Sequence, residues 1–202
     1  YRGGTDNIRL FFITNNFNSA TVPMRYYDGA AFSAFTPQLD ATPTYLLQAE
    51  ILIPYYGRLL ALNTQEGAAL GGGVNFYNRC RFSQIGSPVA VDAWRSDTFG
   101  KGGFIDAPTN ESIVSAQFIK NTLIVFFERS TWQLRYVGEY GLPFIWERVS
   151  SDFGCESTNS SVIFNEGVLA VGDKAIITAN AVGVKRVDLQ IPDFVFGINN
   201  AE

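Results

Sequence analysis

Apolar residues recur along this chain in short runs of about four to eight positions, broken by Gly, Pro, Asn and Asp. No stretch beyond about ten residues keeps the 3.6-residue period of a helix. Ile8-Arg9-Leu10-Phe11-Phe12-Ile13 runs into the turn residues Thr14-Asn15-Asn16. Residues 17–45, rich in Pro, Gly, Asp and Ala, read as loops with short strands. Residues 49–62 read as strands broken at Pro54 and Gly57, and the Gly/Ala-rich 67–73 as a connection, because so much glycine weakens any regular element. From 76 to 83 the side chains alternate: Phe76, Asn78, Cys80 and Phe82 share one face, and Tyr77, Arg79, Arg81 and Ser83 the other. Residues 94–110, with Asp97, Gly100, Gly102, Gly103 and Pro108, read as a second long loop. Val, Ile, Phe, Thr, Trp and Tyr dominate 113–137, the most strand-like region. A further strand set covers 162–189, and the apolar run 191–196 closes the pattern. The chain is expected to be all-β.

A weak internal repeat refines that expectation. Gly57-Arg58-Leu59-Leu60-Ala61-Leu62, Asn121-Thr122-Leu123-Ile124-Val125-Phe126 and Glu166-Gly167-Val168-Leu169-Ala170-Val171 each read as a polar hairpin turn followed by an inner strand. Each follows a short apolar strand. A period of roughly 40 to 50 residues with about four strands per unit is that of propeller blades. The longer first interval holds the Gly-rich connection and the 94–110 loop. The pattern therefore favours a β-propeller-like fold of antiparallel four-stranded blades, part of a larger propeller, over the alternative β-sandwich. On this reading 1–202 is a single all-β domain or fragment, with 1–45 an irregular or edge segment and 46–196 the blades.

Composition narrows the function classes. The 202 residues are 47% hydrophobic and 17% charged, which excludes a disordered chain. Apolar runs such as Leu123-Ile124-Val125-Phe126-Phe127 fall far short of the roughly 20 residues of a membrane-spanning helix, so no membrane insertion is expected. There is no histidine, which removes Ser-His-Asp and Cys-His catalysis and histidine-ligated zinc. The two cysteines, Cys80 and Cys155, are too few for a cysteine metal cage and read as buried thiols, with one long-loop disulfide as the alternative. A net charge of −4 offers no basic face for gripping phosphates. The chain opens at Tyr1 without a charged and then apolar leader, and reads as a fragment or a processed product.

Candidate chemistry is sparse. Phe99-Gly100-Lys101-Gly102 lacks the features of a phosphate loop, since Arg95 and Gly102 stand where Gly and Ser or Thr are needed. Paired carboxylates would have to come from Asp97, Asp106, Glu111, Glu128, Glu139, Glu147 or Asp152, and no spacing singles out a pair. The sequons at Asn110 and Asn159 carry no weight without a secretory signal. No catalytic, cofactor or metal residues are assigned, and the chain is read as a non-enzyme. One loop stands out as a candidate interface: Trp94 and Phe99, with Asp97 and Lys101, have the character of a sugar-stacking site, the alternative being that Trp94 closes a blade and the loop is an insertion contacting a neighbouring subunit.

Two stretches are more distinctive. The first is Asn78-Arg79-Cys80-Arg81-Phe82-Ser83-Gln84-Ile85-Gly86-Ser87-Pro88. The second is Leu123-Ile124-Val125-Phe126-Phe127-Glu128-Arg129-Ser130-Thr131-Trp132-Gln133-Leu134, followed by Tyr136-Val137-Gly138 and later Phe153-Gly154-Cys155. Residue by residue, both read as strand, tight turn and strand, with the arginines paired to neighbouring acids. In combination and order they resemble the tail nozzle proteins of short-tailed bacteriophages, the tail tubular protein B and packaged-DNA stabilisation families, over about residues 50–185. The resemblance implies a structural virion component with no cofactor, present in the phage tail and, during assembly, in the host cytoplasm. It implies a homo-oligomeric ring, usually six-fold, below the portal and adaptor and in contact with other tail proteins. Genomic DNA would be retained and ejected through that ring without sequence-specific binding, and a negative wall would let it slide. The alternative is a receptor- or glycan-binding β module.

Overall fold

The computed structural model describes residues 1–2, 9–139 and 141–189, which form strands, turns and loops and no helix. The run 191–196 lies outside the described residues, as does Ile8. The chain divides into two compact units, Tyr1–Asn110 with Tyr136–Phe144, and Glu111–Arg135 with Ile145–Glu202.

The first unit opens with a small antiparallel meander, β1 (Phe11–Ile13), β2 (Arg25–Tyr27) and β3 (Phe32–Ala34). The segment 1–45, read as irregular, thus holds a sheet of its own. Phe12 and Tyr26 pack inward on the core, whereas Phe11, Ile13 and Phe32 are exposed. A four-stranded antiparallel sheet follows in the order β4 (Tyr45–Tyr55), β5 (Arg58–Gly67), β6 (Val74–Phe82) and β7 (Gly103–Asp106). The core of the unit gathers Met24, Phe35, Leu39, Leu46, Leu59 and Trp94, with the Phe35 and Trp94 rings edge to face at 5.8 Å. Burying this apolar surface is the main driving force for folding.

Strand β7 is a difference from the sequence reading, which ran the whole of 94–110 as loop. Phe82 pairs with Gly103 and Arg79 with Asp106 across β6 and β7. The glycines that argued for a loop are present for close packing. A Cβ on Gly102 would sit 2.6 Å from Trp94 Cα and 2.7 Å from the Phe82 carbonyl oxygen, and one on Gly103 would sit 2.7 Å from the Phe82 ring.

The strict alternation read across 76–83 also breaks. The register of β5 against β6 shifts between Leu62 and Thr64, where Asn63 takes a φ of 54°. This bulge carries Phe76 round to the side of Arg79, whose guanidinium lies 3.7 Å from the Phe76 ring centroid.

The second unit holds two more sheets. One runs β8 (Ile113–Ile119), β9 (Thr122–Phe127), β10 (Thr131–Tyr136) and β11 (Phe144–Ser150); the other runs β12 (Ser161–Phe164), β13 (Gly167–Val171), β14 (Ile176–Ala179) and β15 (Val184–Arg186). The far end of the β10–β11 hairpin belongs to the first unit. Ile124, Phe126, Val168, Ala170, Ile177 and Ala179 form the second core.

The internal repeat is visible as geometry. Residues 56–57, 120–121 and 165–166 are two-residue hairpin loops, and the first residue of each is left-handed: Tyr56 (φ 47°), Lys120 (φ 54°) and Asn165 (φ 52°). Such loops match the twist of paired strands. The next strands, β5, β9 and β13, each have a neighbour on both sides, and Leu59, Leu123 and Val168 are buried at matching positions. Each four-stranded sheet is a meander in chain order, with none of the crossovers of a Greek-key sandwich. The chain is all-β and built of propeller-like antiparallel blades.

Gly102→Ala is expected to lower stability by about 2–3 kcal/mol, because the new Cβ meets backbone that cannot step aside. Gly86→Ala, where no atom lies within 4 Å but φ is 96°, should cost only about 1 kcal/mol. Urea unfolding of both variants checks the ranking.

Candidate functional site

Asn78, Arg79, Arg81 and Ser83 of the first distinctive stretch bond within the fold. Asn78 donates its side-chain amide to the carbonyls of Ala107 and Thr109, both at 2.8 Å. Arg79 forms a two-point bond with Asp106 (2.7 and 2.9 Å), and Arg81 forms another with Glu66 (2.7 and 2.8 Å). A third bond, from Arg79 to Glu66 at 3.2 Å, joins the pairs. Phe76 and Phe104 flank the Arg79 guanidinium at 3.7 and 4.1 Å from their ring centroids. Burial alone would lower the Arg79 pKa, but its hydrogen bonds to Asp106 and the charges of Glu66 and Asp106 outweigh it and hold the guanidinium charged. Ser83 Oγ accepts the Leu59 N–H at 2.9 Å, and the Pro88 carbonyl accepts the Trp94 indole N–H at 2.8 Å.

The second stretch is absorbed in the same way. Glu111 accepts from the Arg129 N–H and from Ser130 Oγ, both at 2.9 Å, and Ser130 Oγ in turn accepts the Trp132 indole N–H at 2.9 Å. Thr131 donates its hydroxyl to the Phe153 carbonyl at 2.7 Å, and the Cys155 N–H donates to the Phe127 carbonyl at 3.0 Å. A Cβ on Gly154 would strike the Phe127 carbonyl oxygen, so only glycine lets this segment lie on the β9–β10 turn. Of the acids considered for catalysis, Asp97, Asp106 and Glu147 are ion-paired to arginine and Glu111 caps a turn.

Both cysteines are buried free thiols. Burial pushes each thiol pKa up, more strongly for Cys80, away from the thiolate that metal binding or nucleophilic attack requires. Among the described residues no group of three or more His, Cys, Asp or Glu could hold a metal ion. No helix among them is long and apolar enough to cross a membrane.

The structure separates the four residues of the candidate interface loop. Trp94 is 1% exposed and lies in the core of the first unit, which corrects its reading as a sugar-stacking residue and leaves the reading as an internal packing residue: Phe35 takes one edge and Pro88 the indole N–H. Asp97 is held by two hydrogen bonds from Arg95 (2.8 and 2.7 Å) and one from the Ala41 N–H (2.8 Å). Phe99 is 85% exposed at the tip of a turn, which the Lys101 N–H closes on the Thr98 carbonyl at 3.2 Å with Gly100 at a φ of 80°. Lys101 reaches Gln84 Oε1 at 3.1 Å.

Phe99 and Lys101 line a cavity of about 480 Å³ whose wall also includes Arg58, Phe82, Gln84, Ser96 and Thr98. Arg58 donates to the Ser83 carbonyl at 2.6 Å, which fixes its cation in that wall. Sequence reasoning missed Arg58 and Gln84 because they are distant from the loop along the chain, and pairing of β5 with β6 and β6 with β7 brings them to it. No protein-family model matches this sequence, and no curated protein is significantly similar to it.

Arg95 holds the Asp97 carboxyl at about 2, well below the usual carboxylate range, with the Ala41 N–H adding to the effect and desolvation opposing it. The contribution of this link to stability is therefore present above about pH 4 and is lost as the pH falls towards 2. Asp97→Asn should lower the melting temperature at neutral and alkaline pH, leave it little changed near pH 2, and so flatten the acid limb in thermal unfolding. Glu66→Ala should cost about 3–5 kcal/mol, since it leaves the buried Arg81 without its counter-ion while Arg79 keeps Asp106. Asp106→Ala, at a partly solvated carboxylate, should cost about 1 kcal/mol. Urea unfolding at neutral pH measures both.

Proposed function

We propose that this chain is a structural virion component of a phage tail, part of a ring-shaped nozzle through which genomic DNA is retained and ejected. The observation that carries the reading is the apolar surface on the first and last sheets. On the edge strand β1, Phe11 and Ile13 are exposed, with Phe32 on the same sheet. On the edge strand β12, Val162, Ile163 and Phe164 are all exposed, and Phe164 borders an apolar groove lined by Leu169, Val182, Val184 and Val187. Apolar edge strands of this kind are association surfaces. Two different apolar patches on one chain meet the requirement for head-to-tail contact between copies, and head-to-tail contacts close into rings where the rotation allows.

Three further features support the reading. The two distinctive stretches serve the scaffold, as expected of an assembly protein. The order of motifs resembles the nozzle families of short-tailed phages. The net charge of −4 suits a wall that DNA slides past. Portal, adaptor and other tail proteins are then the partners, and the location is the virion. A second reading, a receptor- or glycan-binding module, draws on the cavity beside Phe99 and Lys101.

Native mass spectrometry at low and physiological salt tests the assembly. A closed ring of about six copies that persists in salt is expected, and Phe164→Lys or Phe11→Lys should break it to smaller species without unfolding the chain. A salt-independent monomer whose behaviour neither substitution alters would overturn the ring reading.

A further inference from the structure

The chain is acidic as a whole, with a net charge of −4, yet the 480 Å³ cavity of the first unit has Arg58 and Lys101 in its wall and no carboxylate among its described lining residues. The nearest acid along the loop, Asp97, already has its charge matched by Arg95 at 2.7 Å. Arg58 is committed to the Ser83 carbonyl and, more loosely, to that of Lys101 at 3.5 Å, so it acts as a fixed positive wall rather than as a fork for phosphate. Lys101 forms no ion pair among the described residues, and its bond to Gln84 engages one of three ammonium hydrogens. That leaves a compact cation with donors to spare, suited to a single carboxylate.

The remaining lining adds a second kind of recognition. Phe99 presents an almost fully exposed ring, and Gln84, Ser96 and Thr98 bring an amide and two hydroxyls to the same cavity. An aromatic face beside short polar side chains fits a sugar, whose axial C–H face packs on the ring while its hydroxyls exchange hydrogen bonds. The volume is that of a small-ligand site. We infer that this cavity binds an acidic monosaccharide unit of a glycan, its ring on Phe99 and its carboxylate on Lys101, with Arg58 supplying positive potential from behind. The inference rests on the second, glycan-binding reading of this cavity and holds whether or not copies of the chain form a ring.

The probes are short oligomers of galacturonic acid and of N-acetylneuraminic acid, with methyl-esterified galacturonate oligomers as the neutral counterpart. Isothermal titration calorimetry of the full chain should show saturable binding of an acidic probe and binding at least about tenfold weaker for its neutral ester. Lys101→Gln and Phe99→Ala should each weaken the acidic probe by about tenfold or more, with thermal unfolding unchanged. Phe164→Lys, at the separate apolar edge, should bind like the parent chain, which separates failure of the cavity from failure of assembly. Equal binding of acidic and neutral sugars, parent-like binding by both cavity variants, or binding of a polyglutamate peptide but of neither acidic sugar would each overturn the inference.

Discussion

The first unit is organised around one buried carboxylate. Glu66, on β5, is shared by Arg79 and Arg81, both on β6, and Arg79 passes the link on to Asp106 on β7. Three adjacent strands are thereby joined through side chains as well as through backbone. Strand β7 is only four residues long and begins at a glycine, so its own ladder bonds are a weak hold on the sheet edge. The stacking of Phe104 on Arg79 and the bond of Asp106 to Arg79 anchor it. With β7 in place, Gly102 is drawn against Trp94, and the turn that carries Phe99 and Lys101 is held over Arg58 and Gln84. The wall of the cavity thus descends from an ion pair on another part of the sheet.

Such a cluster contributes more to uniqueness than to net stability. Removing two guanidiniums and the Glu66 carboxylate from water costs much of what their mutual attraction returns. A one-residue slip of β6 would turn Arg79 and Arg81 away from Glu66 and leave charges buried and unmatched. The bulge at Asn63 belongs to the same device, because without it Phe76 would face away from the cation that it covers.

Much of this was legible along the chain. The three hairpins announced themselves through a polar turn ahead of Leu59, Leu123 and Val168, because a two-residue loop fixes which neighbour becomes the buried inner strand. Local pattern sufficed there since hairpin pairing is a local event. The sequence misled where distant backbone decides the outcome. Gly102 and Gly103 looked like loop residues, and only the presence of Phe82 and Trp94 beside them turns their missing side chains into a packing feature. Trp94 looked like a binding residue because it sits among charged and glycine neighbours, yet Phe35 and Pro88 claim its ring and its N–H. Arg58 and Gln84 could not be linked to Lys101 at all before the order of strands β5, β6 and β7 was known.

The geometry of the Glu66 cluster also bears on how this sheet carries load. A pull along β6 that slid it against its neighbours would have to part the two-point bonds of Arg79 and Arg81 together with the ladder, all at once. Peeling from a hairpin tip would meet the same bonds one after another. The sheet therefore resists sliding along its strands more than opening at its loops, since sliding parts the cation bonds together and opening parts them in turn.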